Sequence, residues 1–335
     1  MDYVTLGSTG IMVNKNGFGA LPIQRISDDD AVYLLRKAYD NGITFYDTAR
    51  GYTDSEKKIG LALGNVSEKI IIATKAIAGD VKAFWDNLET SLSMLNTTYI
   101  DIYQFHNPPF CPKPGDDSGL YDAMLEAKAK GKIRHIGITC HRLKVAEEAA
   151  ESGLYETIQY PVSYLSSPEE LDLVHTCRDK NIGILAMKGL SGGLITDSAA
   201  AYAFLAQFGN LIPIWGVQFE RELDEFLSYQ DAPPLLDDRA RSVIAGDIEE
   251  LSGDYCRGCG YCMPCPVNIN ISICARMTHL VKRAPPSFYL LEDFKESMKR
   301  IKDCIDCGHC KENCPYDLDA PKLMRDSWAV YKEFL

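Results

Sequence analysis

Positive charge is scarce in this chain: 35 lysines and arginines stand against 47 aspartates and glutamates, a formal net charge of −12 at pH 7. Nucleic acid and anionic membrane surfaces are held by excess Lys and Arg, so neither is an expected partner. "MDYVTLGSTGIMVNKNG" lacks a basic segment followed by an apolar run. No signal peptide is therefore expected, and the expected location is the cytoplasm. The longest apolar stretch, "AAAYAFLAQFGNLIPIWGVQF" (199–219), approaches the length of a membrane span, but Gln207, Gly209, Asn210 and Pro213 interrupt it. It reads as a helix followed by a buried strand. No GxGxxG follows a first strand, so a Rossmann nucleotide domain is not indicated. No tract is of low complexity.

What is present is a repeat. From residue 17 to about 235, short β-branched runs alternate with longer helical patterns, the signature of parallel βα units. The strands read "GFGALPI", "ITFYDTA", "KIIIATK", "IDIYQFH", "IRHIGIT", "TIQYPVS", "GILAMK" and "LIPIWGV". Eight such units imply a closed α/β (β/α)8 TIM barrel over residues 1–235, fronted by a hairpin from "VTLGSTGIMV" that covers its floor. "DAPPLLDD" (231–238) marks a boundary, and residues 236–335 form a second, mainly helical domain. There a helix is expected over 238–251 and another over 288–302.

Catalytic residues of such barrels sit at the C-terminal ends of strands and on the loops that follow. Asp47 and Tyr52 lie there after strand two, Lys75 ends strand three and His106 ends strand four. The stretch "YDTARGYTDSEKKIG" resembles the signature of the aldo-keto reductases, matched by Asp47, Thr48, Ala49, Tyr52, Ser55, Glu56 and Gly60. The resemblance implies that Tyr52 is the general acid or base, that Lys75 and Asp47 adjust it, and that His106 orients the substrate carbonyl. The chemistry has an independent rationale. Hydride delivery to a carbonyl carbon leaves negative charge on oxygen, which calls for a proton and hydrogen-bond donors. A phenol titrates near about 10, and an adjacent Lys75 ammonium is expected to lower that value.

The resemblance also implies a nicotinamide cofactor, NADP(H) or NAD(H), across the barrel mouth, and a small carbonyl or alcohol substrate. Thr139, Cys140 and Gln159 stand where the nicotinamide amide is held, and Met187 stands where an aromatic ring normally stacks. Lys188, Gly189, Gly192 and Gly216 belong to the loops that approach the pyrophosphate. Ile214 and Trp215 occupy the place of the basic residue that reads the 2′-phosphate, for which Arg221 is the substitute.

With no export expected, twelve cysteines are not read as a disulfide framework. Nine of them fall after residue 255, a clustering that points to metal. Cys304, Cys307, Cys310 and Cys314 before Pro315 make CxxCxxCxxxCP, the bacterial ferredoxin pattern. Cys256, Cys259, Cys262 and Cys265 before Pro266 nearly repeat it, with a last gap of two residues rather than three. Since the fourth cysteine of such a run ligates the other cluster, two 4Fe-4S centres are expected: Cys256, Cys259, Cys262 and Cys314 around one, and Cys304, Cys307, Cys310 and Cys265 around the other. Zinc is the competing chemistry for CxxC pairs. The consecutive two-residue gaps and both Cys-Pro endings favour iron and sulfide. Cys111, Cys177 and Cys274 read as core thiols, and His279 and His309 as packed or exposed rather than ligating.

From end to end the chain looks like the iron–sulfur branch of the aldo-keto reductases. The implied activity is an NAD(P)-dependent oxidoreductase carrying the clusters, with a ferredoxin or another electron carrier as their partner. The alternative is an iron–sulfur electron-transfer protein whose barrel serves for docking or binds a flavin.

Overall fold

The computed structural model describes residues 3–251, 255–283 and 286–335. Tyr3–Thr5 (β1) and Met12–Asn14 (β2) pair antiparallel into the N-terminal hairpin. The barrel strands are β3 (Gly17–Gly19), β4 (Phe45–Asp47), β5 (Ile71–Ala76), β6 (Ile100–His106), β7 (Ile133–Thr139), β8 (Thr157–Pro161), β9 (Gly183–Met187) and β10 (Leu211–Gly216). Each pairs in parallel with the next, and β10 returns to β3 to close the cylinder. The strands are apolar almost throughout because both faces are covered: in β6 every residue but the last is buried. Val4, Leu6 and Val13 of the hairpin pack on Phe45, Ala73, Ile102 and Ile212, the floor of that core.

The helices between the strands are α1 (Asp28–Asp40), α2 (Ser55–Leu63), α3 (Val81–Leu95), α4 (Leu120–Ala129), α5 (Leu143–Ser152), α6 (Pro168–Asp179), α7 (Ser198–Leu205) and α8 (Glu220–Asp231). Their starts follow from local chemistry. Ser27 accepts from the Asp30 amide, and Ser167 forms a reciprocal capping box with Glu170 ahead of Pro168. The apolar stretch at 199–219 is the helix α7 and the strand β10, as its interruptions imply. Among the described residues no helix is long and apolar enough to cross a membrane.

Gly60 shows why the signature needs a glycine there. A Cβ at this position would stand 2.1 Å from the Met94 carbonyl oxygen, so α2 and α3 could not approach as they do. Gly60→Ala is expected to cost about 1–3 kcal/mol, seen as a lower urea midpoint for barrel unfolding.

Two compact units emerge, one of Met1–Gly189 with Ala199–Ala240 and one of Leu190–Ser198 with Arg241–Leu335. The division falls within α9 (Asp238–Glu250), where the sequence reading placed a boundary at 235/236. The second unit is helical, with α10 (Ile271–Cys274), α11 (Met277–Arg283), α12 (Pro286–Tyr289), α13 (Glu292–Lys299), α14 (His309–Glu312) and α15 (Ala320–Tyr331). The single helix expected over 288–302 is broken. Leu291 is extended (φ −62°, ψ 151°), and Glu292 and Asp293 open a new helix where carboxylates suit the positive end of its dipole. The break lets Phe294 meet Phe288 and Tyr289, and the Tyr331 hydroxyl satisfies the carbonyl of Tyr289 at 2.6 Å.

Candidate functional site

Four side chains expected at the barrel mouth converge. Lys75 is fully buried, and its ammonium donates to both carboxylate oxygens of Asp47 (2.8 Å each) and to the Thr48 carbonyl (2.7 Å). All three of its protons are thereby used. Its Nζ lies 5.2 Å from the centroid of the Tyr52 ring. Tyr52 is set by the tight turn after β4, in which its amide bonds the Ala49 carbonyl and its own carbonyl takes the Ser55 amide. Its ring stands edge-on to His106 at 5.8 Å. Nδ1 of His106 is buried with no hydrogen-bond partner.

Electrostatics correct one expectation. Lys75 was to bring the Tyr52 phenol down, yet burial pushes it above the ordinary phenol range and the Asp47 charge adds to the rise. The reason is geometric: the ammonium is spent on Asp47 and Thr48, so Tyr52 faces a neutralised pair instead of a free cation. Burial pushes Lys75 down and Asp47 up, each opposed by its partner. His106 is pushed down to about 3, first by burial and then by the Lys75 charge. The site thus holds a neutral phenol and a neutral imidazole above a buried ion pair.

In the second unit the cysteines sort into two sets. Cys256, Cys259, Cys262 and Cys314 line one cavity, and Cys265, Cys304, Cys307 and Cys310 line another. Cys314 and Cys265 thus each face the cavity of the other run, despite the shortened gap before Cys265. Ile271 and Cys310 border both cavities. Among the described residues no three His, Cys, Asp or Glu side chains are grouped to hold a single metal ion. Four thiols spaced around a cavity are the donor set of a 4Fe-4S cluster. Cys274 stays apart: fully buried, it donates to the Ser297 carbonyl, and burial pushes its thiol to about 12. His309, read as a bystander, borders the second cavity.

Residues 15–203 match the family model "Aldo/keto reductase family". The chain belongs to the aldo/keto reductase family. Residues 255–319 match a 4Fe-4S dicluster domain. L-galactose dehydrogenase of Arabidopsis thaliana is 31% identical over 213 residues, covering 57% of this chain and 66% of that protein. An aldo-keto reductase of Bacillus subtilis is 29% identical over 217 residues, covering 58% and 64%. The chain spans roughly two thirds of the length of these curated relatives. Among solved structures, an aldo-keto reductase of Bacillus halodurans in its holo form superposes with a TM-score of 0.64 at 20% identity, covering 74% of this chain and 96% of that one. At that identity the likeness speaks for the fold alone.

In this aldo/keto reductase the positions expected to hold a nicotinamide amide bond to the protein itself. Gln159 Nε2 donates to Asp47 Oδ1 (3.2 Å), while its Oε1 accepts from Gln104 Nε2 (3.0 Å) and the Thr139 hydroxyl (3.1 Å). Both Thr139 and Gln159 are almost fully buried. Cys140 is buried too, and burial pushes its thiol well up, which leaves it unreactive. Thr139 holds Gln159, and Gln159 steadies Asp47 with one of its two amide protons. Met187 is partly exposed, and Lys188 takes a left-handed turn (φ +59°). A Cβ on Gly189 would stand 2.8 Å from the Trp215 ring, and one on Gly216 would stand 3.2 Å from Pro22, so both glycines admit neighbours from the protein itself. The Gly192 carbonyl accepts from Arg276 within the second unit. Arg221 is exposed, its guanidinium 4.4 Å over the Phe219 ring.

Two contributors escaped the sequence reading. Gln104, alone among apolar residues in "IDIYQFH", ties Gln159 to Thr139; a lone amide inside a buried strand was the available signal. Glu56 was read only as part of the signature. It is buried, accepts from Thr74 and Ser91 at 2.7 Å each and pairs with Arg50, which locks α2 to β5 and α3 beneath the catalytic turn.

Proposed function

We propose that this aldo/keto reductase is an NAD(P)H-dependent oxidoreductase of small carbonyl or alcohol substrates, with Tyr52 as general acid in reduction and two 4Fe-4S clusters in its second unit. The observation that carries the reading is the orphaned His106 nitrogen beside an uncommitted Tyr52 hydroxyl, above the Lys75–Asp47 pair. A carbonyl oxygen is the acceptor both groups lack. Tyr52 gives its proton to the oxygen where charge develops, and neutral His106 donates to the same oxygen. The Lys75 ammonium packs 5.2 Å from the centroid of the Tyr52 ring and positions it, and Asp47, steadied by Gln159, keeps Lys75 charged and aimed. The nicotinamide, when bound, supplies the hydride. Met187, Lys188, Gly189 and Gly216 would border it, with Arg221 for a phosphate. The two cysteine sets would hold the clusters, which supply one-electron chemistry. A cytoplasmic location and a ferredoxin or similar carrier go with this reading.

The burial of Thr139 and Gln159, which bond to each other, with Gln159 also bound to Asp47, favours a second reading, an electron-transfer protein whose barrel docks a partner or a flavin. Anaerobically purified protein separates the two. The first reading requires oxidation of NADPH or NADH with an aldehyde or quinone, and iron and sulfide near about eight each per chain. The second is supported by cluster reduction from a low-potential donor that is indifferent to Tyr52→Phe, with no nicotinamide turnover.

The pH profile carries a sign. A phenol held above its usual value of about 10 stays protonated through neutral and mildly alkaline solution, and His106 gains a proton only near about 3. The rate of carbonyl reduction is therefore expected to stay level from about pH 6 to about pH 9. A fall by half below about pH 8.5 would mean that Lys75 lowers the phenol after all.

A further inference from the structure

Two clusters on similar cysteine sets differ in potential only as their surroundings differ in charge, hydrogen bonds to sulfur and exposure. Here the surroundings are unequal. Arg257 borders the cavity of Cys256, Cys259, Cys262 and Cys314, its guanidinium 5.2 Å and 4.8 Å from the Tyr255 and Tyr316 rings. Arg276 stands behind the same loop and is buried. Its Nη2 donates to the Gly192 carbonyl, its Nε has no partner, and no carboxylate pairs with it among the described residues.

Gly258 makes this approach available. Its φ is +61°, and a Cβ there would lie 2.4 Å from Nη1 of Arg276. Its amide lies 3.4 Å from the Cys256 sulfur. Around the other cavity the balance is reversed. Asp306 Oδ1 lies 3.8 Å from the Cys304 sulfur, and both oxygens of that carboxylate are bound to Arg325 at 2.6 Å. The Arg325 guanidinium is thus neutralised by that carboxylate.

We propose that Arg276 makes the cluster of Cys256, Cys259, Cys262 and Cys314 the easier of the two to reduce, so that a single electron given to the unit rests there. The inference builds on the two-cluster reading above. Each added electron makes a thiolate-ligated cluster more negative, and a buried cation with no carboxylate on it among the described residues stabilises that form. Exchange between the clusters moves one electron, oxidising the cluster beside Cys307 and reducing the other. No bond forms and no proton moves. Cys310, which borders both cavities, lies on the path. The reductant is a low-potential one-electron donor, dithionite in the test.

The test is an anaerobic redox titration of the full chain followed by electron paramagnetic resonance, after iron and sulfide are counted. Cys304→Ser assigns the signal of the second cluster. In native protein the other signal is expected to appear first. Arg276→Gln should shift the partition of the first electron at least tenfold toward the second cluster, about 59 mV for a one-electron couple, while Arg276→Lys retains the native order. Equal potentials, a first signal that Cys304→Ser alters, or an iron-replete Arg276→Gln protein with an unmoved partition overturns the inference alone. Should Arg276→Gln lose iron, the native order of reduction still decides. A count near half of about eight iron atoms overturns the two-cluster reading itself.

Discussion

Tyr52→Phe is expected to lower carbonyl turnover by about 10² to 10⁴-fold while leaving substrate affinity and folding nearly unchanged. The phenol oxygen makes no hydrogen bond to the protein among the described residues, so removing it orphans no buried partner. The ring's packing against His106 and over Lys75 survives the substitution. The lost function is therefore the proton alone. Steady-state kinetics with a reducible aldehyde check this, with thermal unfolding as the control. A loss below about fivefold would mean that another donor, His106 included, carries the proton.

Lys75→Met should damage both stability and turnover. Asp47 is buried, and Lys75 supplies two of the hydrogen bonds to its carboxylate, the third coming from Gln159. Breaking a buried pair by removing one partner costs about 3–5 kcal/mol, because the remaining charge must be neutralised in a site without water. The double variant Asp47→Leu with Lys75→Met should recover most of that stability, since an apolar pair removes the uncompensated charge. It should not recover activity, because the Tyr52 ring then loses the ammonium that positions it. Urea unfolding of the three proteins, read beside turnover, separates the roles. A single variant as stable as the native protein would show that the pair contributes nothing to the barrel.

The barrel was legible because its physics is local and repeated. Each strand announces itself by β-branched residues buried on both faces, and each helix by a cap such as Ser27 or Ser167. The convergence of Asp47, Tyr52, Lys75 and His106 was legible because strand ends in such a barrel share one rim, so order along the chain becomes proximity in space. The two cysteine runs were legible from their spacing, and the fold places Cys314 at the cavity of the first run and Cys265 at that of the second. Gln104 was not, since the pattern of a buried strand says nothing about which neighbour an amide will meet. The break at Leu291 was hidden for a similar reason: it is stabilised by Tyr331, forty residues away in the chain.

By itself the sequence determined the cylinder, the chemical types gathered at its mouth and the two thiol sets, because periodicity and ligand spacing are properties of the chain. The tertiary structure alone decided the charge each group carries. It spent the Lys75 protons on Asp47 and Thr48, turned Gln159 and Thr139 inward, and set the buried Arg276 behind the Gly258 loop, with no carboxylate on it among the described residues. Burial and hydrogen-bond partners set the free energy of a charge, and both arise from residues distant in the chain that only folding brings together.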